Sequence, residues 1–227
     1  MSRHLESEIE KLKKRILSLG ATVEETVSHA IKSLGERNAQ MAKKVIATDS
    51  EIDQREVDIE EECQKILALH QPVAHDLRFI IAVLKINAEL EHIGDATVNI
   101  AERVLFLLRE ETVDFPFDFQ EMAQKTQSML NRSLDALVNL DAALAYAVIR
   151  SDDEVDAINR DMYGRTQECI RKSPERVNSY IHLLGISRHI ERIADHASNI
   201  AEDVIYLVEG KIVRHHTEDF KHGVENE

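Results

Sequence analysis

The residues best placed to do chemistry in this chain form a row of oxygen donors that occurs twice. Glu91, Asp95, Asn99 and Glu102 stand in the run Glu91-His-Ile-Gly-Asp95-Ala-Thr-Val-Asn99-Ile-Ala-Glu102-Arg-Val104. One hundred residues later Glu191, Asp195, Asn199 and Glu202 stand in Glu191-Arg-Ile-Ala-Asp195-His-Ala-Ser-Asn199-Ile-Ala-Glu202-Asp-Val204. Eight of the fourteen positions are identical. Amphipathic periodicity fixes only apolar or polar character, so shared Glu, Asp and Asn mark an internal duplication. On a helix the four donors of each run fall within about 80° of arc. Ile93, Ile100 and Val104 lie opposite, leaving one side to bury and another to present oxygens. Carboxylates four apart on an exposed face repel by a few tenths of a kcal/mol. A row kept twice is therefore either solvated or neutralised by a cation or a basic partner.

Each repeat holds a second acid pair four apart, Asp49 with Asp53 and Asp152 with Asp156. In an antiparallel hairpin, residues at one height have numbers that add to a constant. Asp49/Asp95 and Asp53/Glu91 share one such constant, centred on Pro72; Asp152/Asp195 and Asp156/Glu191 share another, centred between Ser173 and Pro174. Each half thus gathers four carboxylates at one end of its bundle, in two level pairs. Neighbouring carboxylates raise each other's pKa or hold a cation. Oxygen-only ligation suits Fe, Mn, Mg or Ca without singling one out. A plain acidic docking surface is the competing reading.

The elements that must position these groups are helices. Leu5, Ile9, Leu12, Ile16, Leu19 and Val23 alternate four and three, and Val27, Ala30, Leu34, Met41 and Val45 continue the seam with a stutter, predicting one long first helix. A second helix is expected to start near Asp49-Ser50-Glu51 and run to about His70. Pro72 precedes a third, about 73–108, which is apolar nearly all round in its first half and so should be buried. Pro116, in Thr112-Val-Asp-Phe-Pro-Phe-Asp-Phe119, breaks the pattern. The cycle then restarts. Met122, Met129, Leu134, Leu137, Leu144 and Val148 define a fourth helix, a fifth opens at 148–156, and the sixth carries the second acidic row. The expectation is an all-α chain of six long helices in two tandem three-helix antiparallel bundles. The first spans 1–112, a linker 113–118, the second bundle 119–209, and a tail 210–227.

Composition agrees with that class and excludes others. The 227 residues include seven Gly, three Pro and no Trp, a helical profile. A formal net charge of −14 argues against nucleic acid as a partner, since phosphate-backbone binders need a basic face. Cys63 and Cys169 lack metal-ligand spacing and read as buried free thiols in a reducing compartment. The charged N-terminus and short apolar runs predict a cytoplasmic protein that meets a membrane only through partners.

Other motifs are weaker. Glu89-x-x-His92 matches the Glu-x-x-His of di-iron bundles, but the second half has His189 and Arg192 there, so the match reads as chance. His75, His182 and His196 read as core-edge or surface residues, and His215-His216 as a tail pair able to take metal adventitiously. There is no glycine-rich phosphate loop, Gly-x-Ser-x-Gly, paired Cys-x-x-Cys or nucleophile with an evident base, so catalysis is not indicated.

Several stretches carry a resemblance: Leu69-His-Gln-Pro72-Val-Ala-His-Asp-Leu-Arg78, Leu84-Lys-Ile-Asn-Ala-Glu-Leu-Glu-His-Ile-Gly-Asp95, both Asn-Ile-Ala-Glu runs, and Tyr206-Leu-Val-Glu-Gly-Lys-Ile-Val-Arg-His215. Over about residues 3–216 the chain resembles the PhoU family of phosphate-transport regulators. That resemblance implies a PhoU-like pair of three-helix bundles and a cytoplasmic, often dimeric regulator. It implies negative control of phosphate uptake and phosphate-starvation signalling, acting with the ATPase subunit of a phosphate ABC transporter and with a sensor histidine kinase. It also implies multinuclear metal clusters on Glu/Asp-x-x-x-Asp motifs. Those motifs map onto Glu91/Asp95, Glu191/Asp195, Asp49/Asp53 and Asp152/Asp156, extended by Asn99, Glu102, Asn199 and Glu202. Iron is the first expectation, with Zn, Mn, Mg and Ca as alternatives. The second half departs from the pattern at Ser173-Pro-Glu-Arg-Val-Asn-Ser-Tyr180, and His92 stands where the family usually has Arg. The competing functions are a carboxylate-bridged metalloenzyme and a purely structural helical interaction module.

Overall fold

The computed structural model describes residues 3–111, 113 and 117–213. Among these are six α-helices: α1 (Arg3–Gly35), α2 (Ala39–His70), α3 (Ala74–Leu107), α4 (Phe119–Asn139), α5 (Ala142–Lys172) and α6 (Val177–Glu209), with a 3-10 turn at Pro174–Arg176 before α6. Pro116, Thr112, His215 and His216 lie outside the described residues.

The heptad seam of α1 is buried at Leu5, Leu12, Ile16, Leu19, Val23, Val27 and Ala30. The seam does not carry one helix onward, and α2 begins ten residues earlier than its acids suggest. Arg37 turns left-handed at φ 50°, and the side chain of Asn38 accepts from the amides of Gln40 and Met41 to start α2. The second half repeats the device 103 residues on: Leu140 turns at φ 52° and Asp141 accepts from the Leu144 amide to start α5. Leu144 and Val148 therefore belong to α5, and Asp49, Asp53, Asp152 and Asp156 lie well inside their helices. Neither break contains Gly or Pro at its left-handed residue, and the apolar spacing runs through both. Only the N-cap residues Asn38 and Asp141 signal them.

The apolar third helix is central, as expected. Ile80, Val83, Ile86, Leu90, Ile93 and Ile100 are fully buried, and burying each such side chain contributes about 1.5–3 kcal/mol. α3 packs on α1 and α2, α6 packs on α4 and α5, and α3 and α6 pack on each other. Low-numbered residues of α3 meet high-numbered ones of α6: Lys85 Nζ lies 3.0 Å from Asp203, while Phe106 stacks on His182 with ring centroids 3.7 Å apart. The two central helices are thus antiparallel. Lys85 with Asp203 recurs, helices exchanged, as Gly185 with Arg103, so an approximate two-fold axis relates the halves. A Cβ on Gly185 would sit 2.5 Å from the Arg103 guanidinium carbon, so the absent side chain leaves room for Arg103.

Candidate functional site

Hairpin reversal at residues 71–73 and at Ser173 brings the acids of α2 beside those of α3, and the acids of α5 beside those of α6. In the first half Ile52, between Asp49 and Asp53, is buried against Gly94, next to Asp95. A Cβ on Gly94 would lie 3.2 Å from Ile52 Cγ2. The absent side chain lets α2 approach, so the carboxylates feel one another. Asp49 is pushed above the usual carboxylate range by burial and then by Asp53, Asp95 and Glu102. Glu91 is raised by burial and Asp95, with smaller contributions from Asp53 and Glu56. Asp53, Asp95 and Glu102 are exposed.

The second half is tighter. Asp152, Asp156 and Asp195 each offer an oxygen within 4.8 Å of the others. Glu191 is raised by burial and by Asp156 and Asp152, offset in part by a hydrogen bond with Asn159. Asp195 is pushed up to about 7 by burial, Glu191, Asp152 and Asp156. Asp195 is exposed, so neighbouring charge contributes to the rise beside desolvation. The donor chemistry fits a hard cation: oxygen ligands sit roughly 2.0–2.6 Å from such an ion, a span that oxygens within 4.8 Å of one another can match.

The remaining members of the acidic row go elsewhere. Asn99 Nδ2 donates to the Asp95 carbonyl of its own helix at 2.7 Å. Asn199 Nδ2 reaches across the seam to Glu89 Oε2 at 3.1 Å. Glu202 is buried, unlike its counterpart Glu102. Both cysteines are buried and free, and burial pushes the Cys63 thiol up to about 12, a state with little thiolate.

Several polar groups escape a reading by periodicity. Beneath the first cluster Asn87 is fully buried and donates to the Glu56 carbonyl at 2.8 Å and its carboxylate at 3.2 Å. At the same place in the second half Ser187 donates to Asn159 at 3.0 Å. These pairs occupy repeat-equivalent positions, a signal available from the offsets of 103 and 100. His196, expected at a core edge or on the surface, is bound to Glu89 at 2.6 Å. His189 is buried beside Arg103, and its pKa falls to about 4 through burial, then Arg103, Arg192 and Arg188. Glu8, 6% exposed, meets His70 at 2.7 Å and His4 at 3.3 Å.

Fold and site define a class: a duplicated three-helix bundle whose two halves each set a carboxylate cluster between their second and third helices. The PhoU domain model matches the chain twice, at residues 16–104 and 119–204. The phosphate-specific transport system accessory protein PhoU homolog of Aquifex aeolicus is 37% identical over 92% of this chain and 94% of its own length. The homolog of Pseudomonas aeruginosa is 35% identical over 95% and 89%. The crystal structure of PhoU from Pseudomonas aeruginosa superimposes with a TM-score of 0.87 at 34% identity, covering 91% of this chain and 99% of that one. The phosphate transport system regulatory protein PhoU of Streptococcus pneumoniae gives 0.81 at 31% identity over 92% and 99%. The chain belongs to the PhoU family.

Proposed function

We propose that this chain is a non-enzymatic accessory protein of a phosphate-specific transport system, acting as a negative regulator of phosphate uptake and of phosphate-starvation signalling. Whole-length similarity to proteins named as accessories of that system supports the transport role. In this reading it works as a cytoplasmic homodimer, docking on the transporter's ATPase subunit and on a sensor histidine kinase. Among the described residues no helix is long and apolar enough to cross a membrane, so contact with the bilayer would run through those partners.

The acidic clusters are read as metal sites, and the convergence of Asp152, Asp156 and Asp195 carries that reading. Asp152, Asp156, Glu191 and Asp195 would hold the ion in the second half, and Asp49, Asp53, Glu91 and Asp95 in the first. A bound cation supplies positive charge that cancels the repulsion between neighbouring helices, stabilising the fold by mass action. What the chain itself provides is fixed spacing: helix pairs held at one level by their apolar faces, so that carboxylates cannot spread apart.

The test is a starvation-gene reporter in cells lacking the protein, complemented by wild type or by Asp152→Asn/Asp195→Asn, alongside pull-down of the transporter ATPase and the kinase. Wild type should restore repression and retain both partners, and the variant should lose repression. Failure of the wild-type chain to repress or to capture either partner would overturn the regulatory reading. Full repression by the variant would remove the metal from it.

A further inference from the structure

We propose that Glu89, His92 and His196 form a separate transition-metal site on the seam between the two halves, with nitrogen as well as oxygen donors. One ligand atom from each of the three lies within 4.8 Å of the others. His196 Nδ1 is 2.6 Å from Glu89 Oε2, and the rings of His92 and His196 lie side by side with centroids 5.1 Å apart and planes at 37°. Glu89 and His92 stand three apart on α3, hence on one face, while His196 comes from α6. An ion there would cross-link the repeats.

The site is already partly organised. Asn199 donates to Glu89 Oε2 at 3.1 Å, an outer contact of the kind that orients a metal-binding carboxylate. Glu89 Oε2 thus meets both His196 Nδ1 and Asn199 Nδ2, which fix its place on the seam. The His196 and Glu89 side chains are 14% and 20% exposed, while His92 is 49% exposed. The cluster therefore has a closed back and an open side through which an ion can enter. Metal would take the place of the hydrogen between His196 Nδ1 and Glu89, which moves to Nε2 or to solvent.

Two imidazoles and one carboxylate select differently from the all-oxygen clusters. Imidazole favours Zn, Cu, Ni, Co or Fe, whereas carboxylates alone also accept Mg and Ca. The duplication supplies no second copy of this site on the seam; the other group with two imidazoles and one carboxylate, His4, Glu8 and His70, lies between α1 and α2. The repeat equivalents of Glu89, His92 and His196 are His189, Arg192 and Ala96, and neither a guanidinium nor a methyl group is a ligand. This inference does not rest on the carboxylate clusters binding metal.

The experiment uses the full chain stripped by chelator, in a His4→Gln/His215→Ala/His216→Ala background that silences the other histidine groups. Titration with Cu2+ followed by electron paramagnetic resonance should show nitrogen splitting, and one equivalent of Zn2+ should abolish it. His92→Gln, at an exposed position, and His196→Gln should each weaken Zn2+ binding by at least about tenfold and reduce the nitrogen splitting. Asp152→Asn/Asp195→Asn should leave the splitting intact. An oxygen-only signal in the background protein, or nitrogen splitting that survives His92→Gln/His196→Gln, would overturn the proposal. Loss of splitting in Asp152→Asn/Asp195→Asn would also overturn it, because the seam site would then not be separate.

Discussion

Asp152, Asp156 and Asp195 of the second half close to within 4.8 Å of one another, whereas among the described residues no three carboxylates of the first-half cluster do so. Spacing along the helices is the same in both. What differs is the layer below. The first half places Glu56, itself raised by burial and by Glu60 and Asp53, against Asn87, adding a fifth acid to the cluster. The second half has neutral Asn159 at that position, which hydrogen-bonds Glu191 and is held by Ser187. The helix contact differs too: Ile52 meets Gly94 in one half, and the equivalents are Val155 and Ala194, both fully buried. One carbon has moved from one helix to the other. Equal acid spacing thus produces a dispersed cluster and a converged one, because the neutral support and the packing beneath decide how close the carboxylates come.

The comparison can be broken at four points, in falling order of effect. If convergence governs affinity, Asp152→Asn/Asp195→Asn should weaken Mn2+ or Fe2+ binding by at least about 100-fold, since it removes two direct ligands of one ion. Asp49→Asn/Asp95→Asn should cost far less, and calorimetric titration of chelator-stripped protein would reveal equal losses if the halves are equivalent. Next comes His189, where the first half has Glu89. Its folded pKa is depressed from 6.5 to about 4, so it contributes stability above pH 6.5 that is lost as pH falls toward 4. His189→Gln should flatten that loss by about 2–3 kcal/mol in urea melts across this window.

Asp195 has the opposite sign. Its folded pKa is raised to about 7, so from about pH 4 upward the folded chain keeps a proton that the unfolded chain releases, and stability declines as pH rises to 7. In metal-free protein at pH 8, Asp195→Asn should therefore stabilise by on the order of 1–2 kcal/mol, less than the full shift because solvent screens its exposed edge. At pH 4 the same substitution should be nearly neutral. The smallest effect concerns packing. Gly94→Ala gains helix propensity but crowds Ile52, leaving a net change within about 1 kcal/mol. Adding Ile52→Val copies the second half, and a thermal melt should show recovery beyond additivity.

Much of this was legible in the chain itself. Eight matches in fourteen positions, sparse Gly and Pro, and apolar spacing established an all-α duplicated fold, because helical periodicity and repeat identity are local properties. Level matching about Pro72 and Ser173 placed the acids correctly, since an antiparallel hairpin has only one register once its turn is known. The breaks at Arg37 and Leu140 were not legible from apolar spacing: both left-handed residues are ordinary ones, and the seam continues across them. Glu89 and His92 read as a broken motif because His189 and Arg192 stand at their repeat equivalents, and the contact of Glu89 with His196, more than a hundred residues away, leaves no local signal. That contact depends on how α3 crosses α6. Helix periodicity is set by neighbours three and four residues off, so it fixed which face each acid occupies. Which carboxylates converge, which stay apart, and which side chains from opposite halves meet on the seam were decided only by packing between helices distant in sequence.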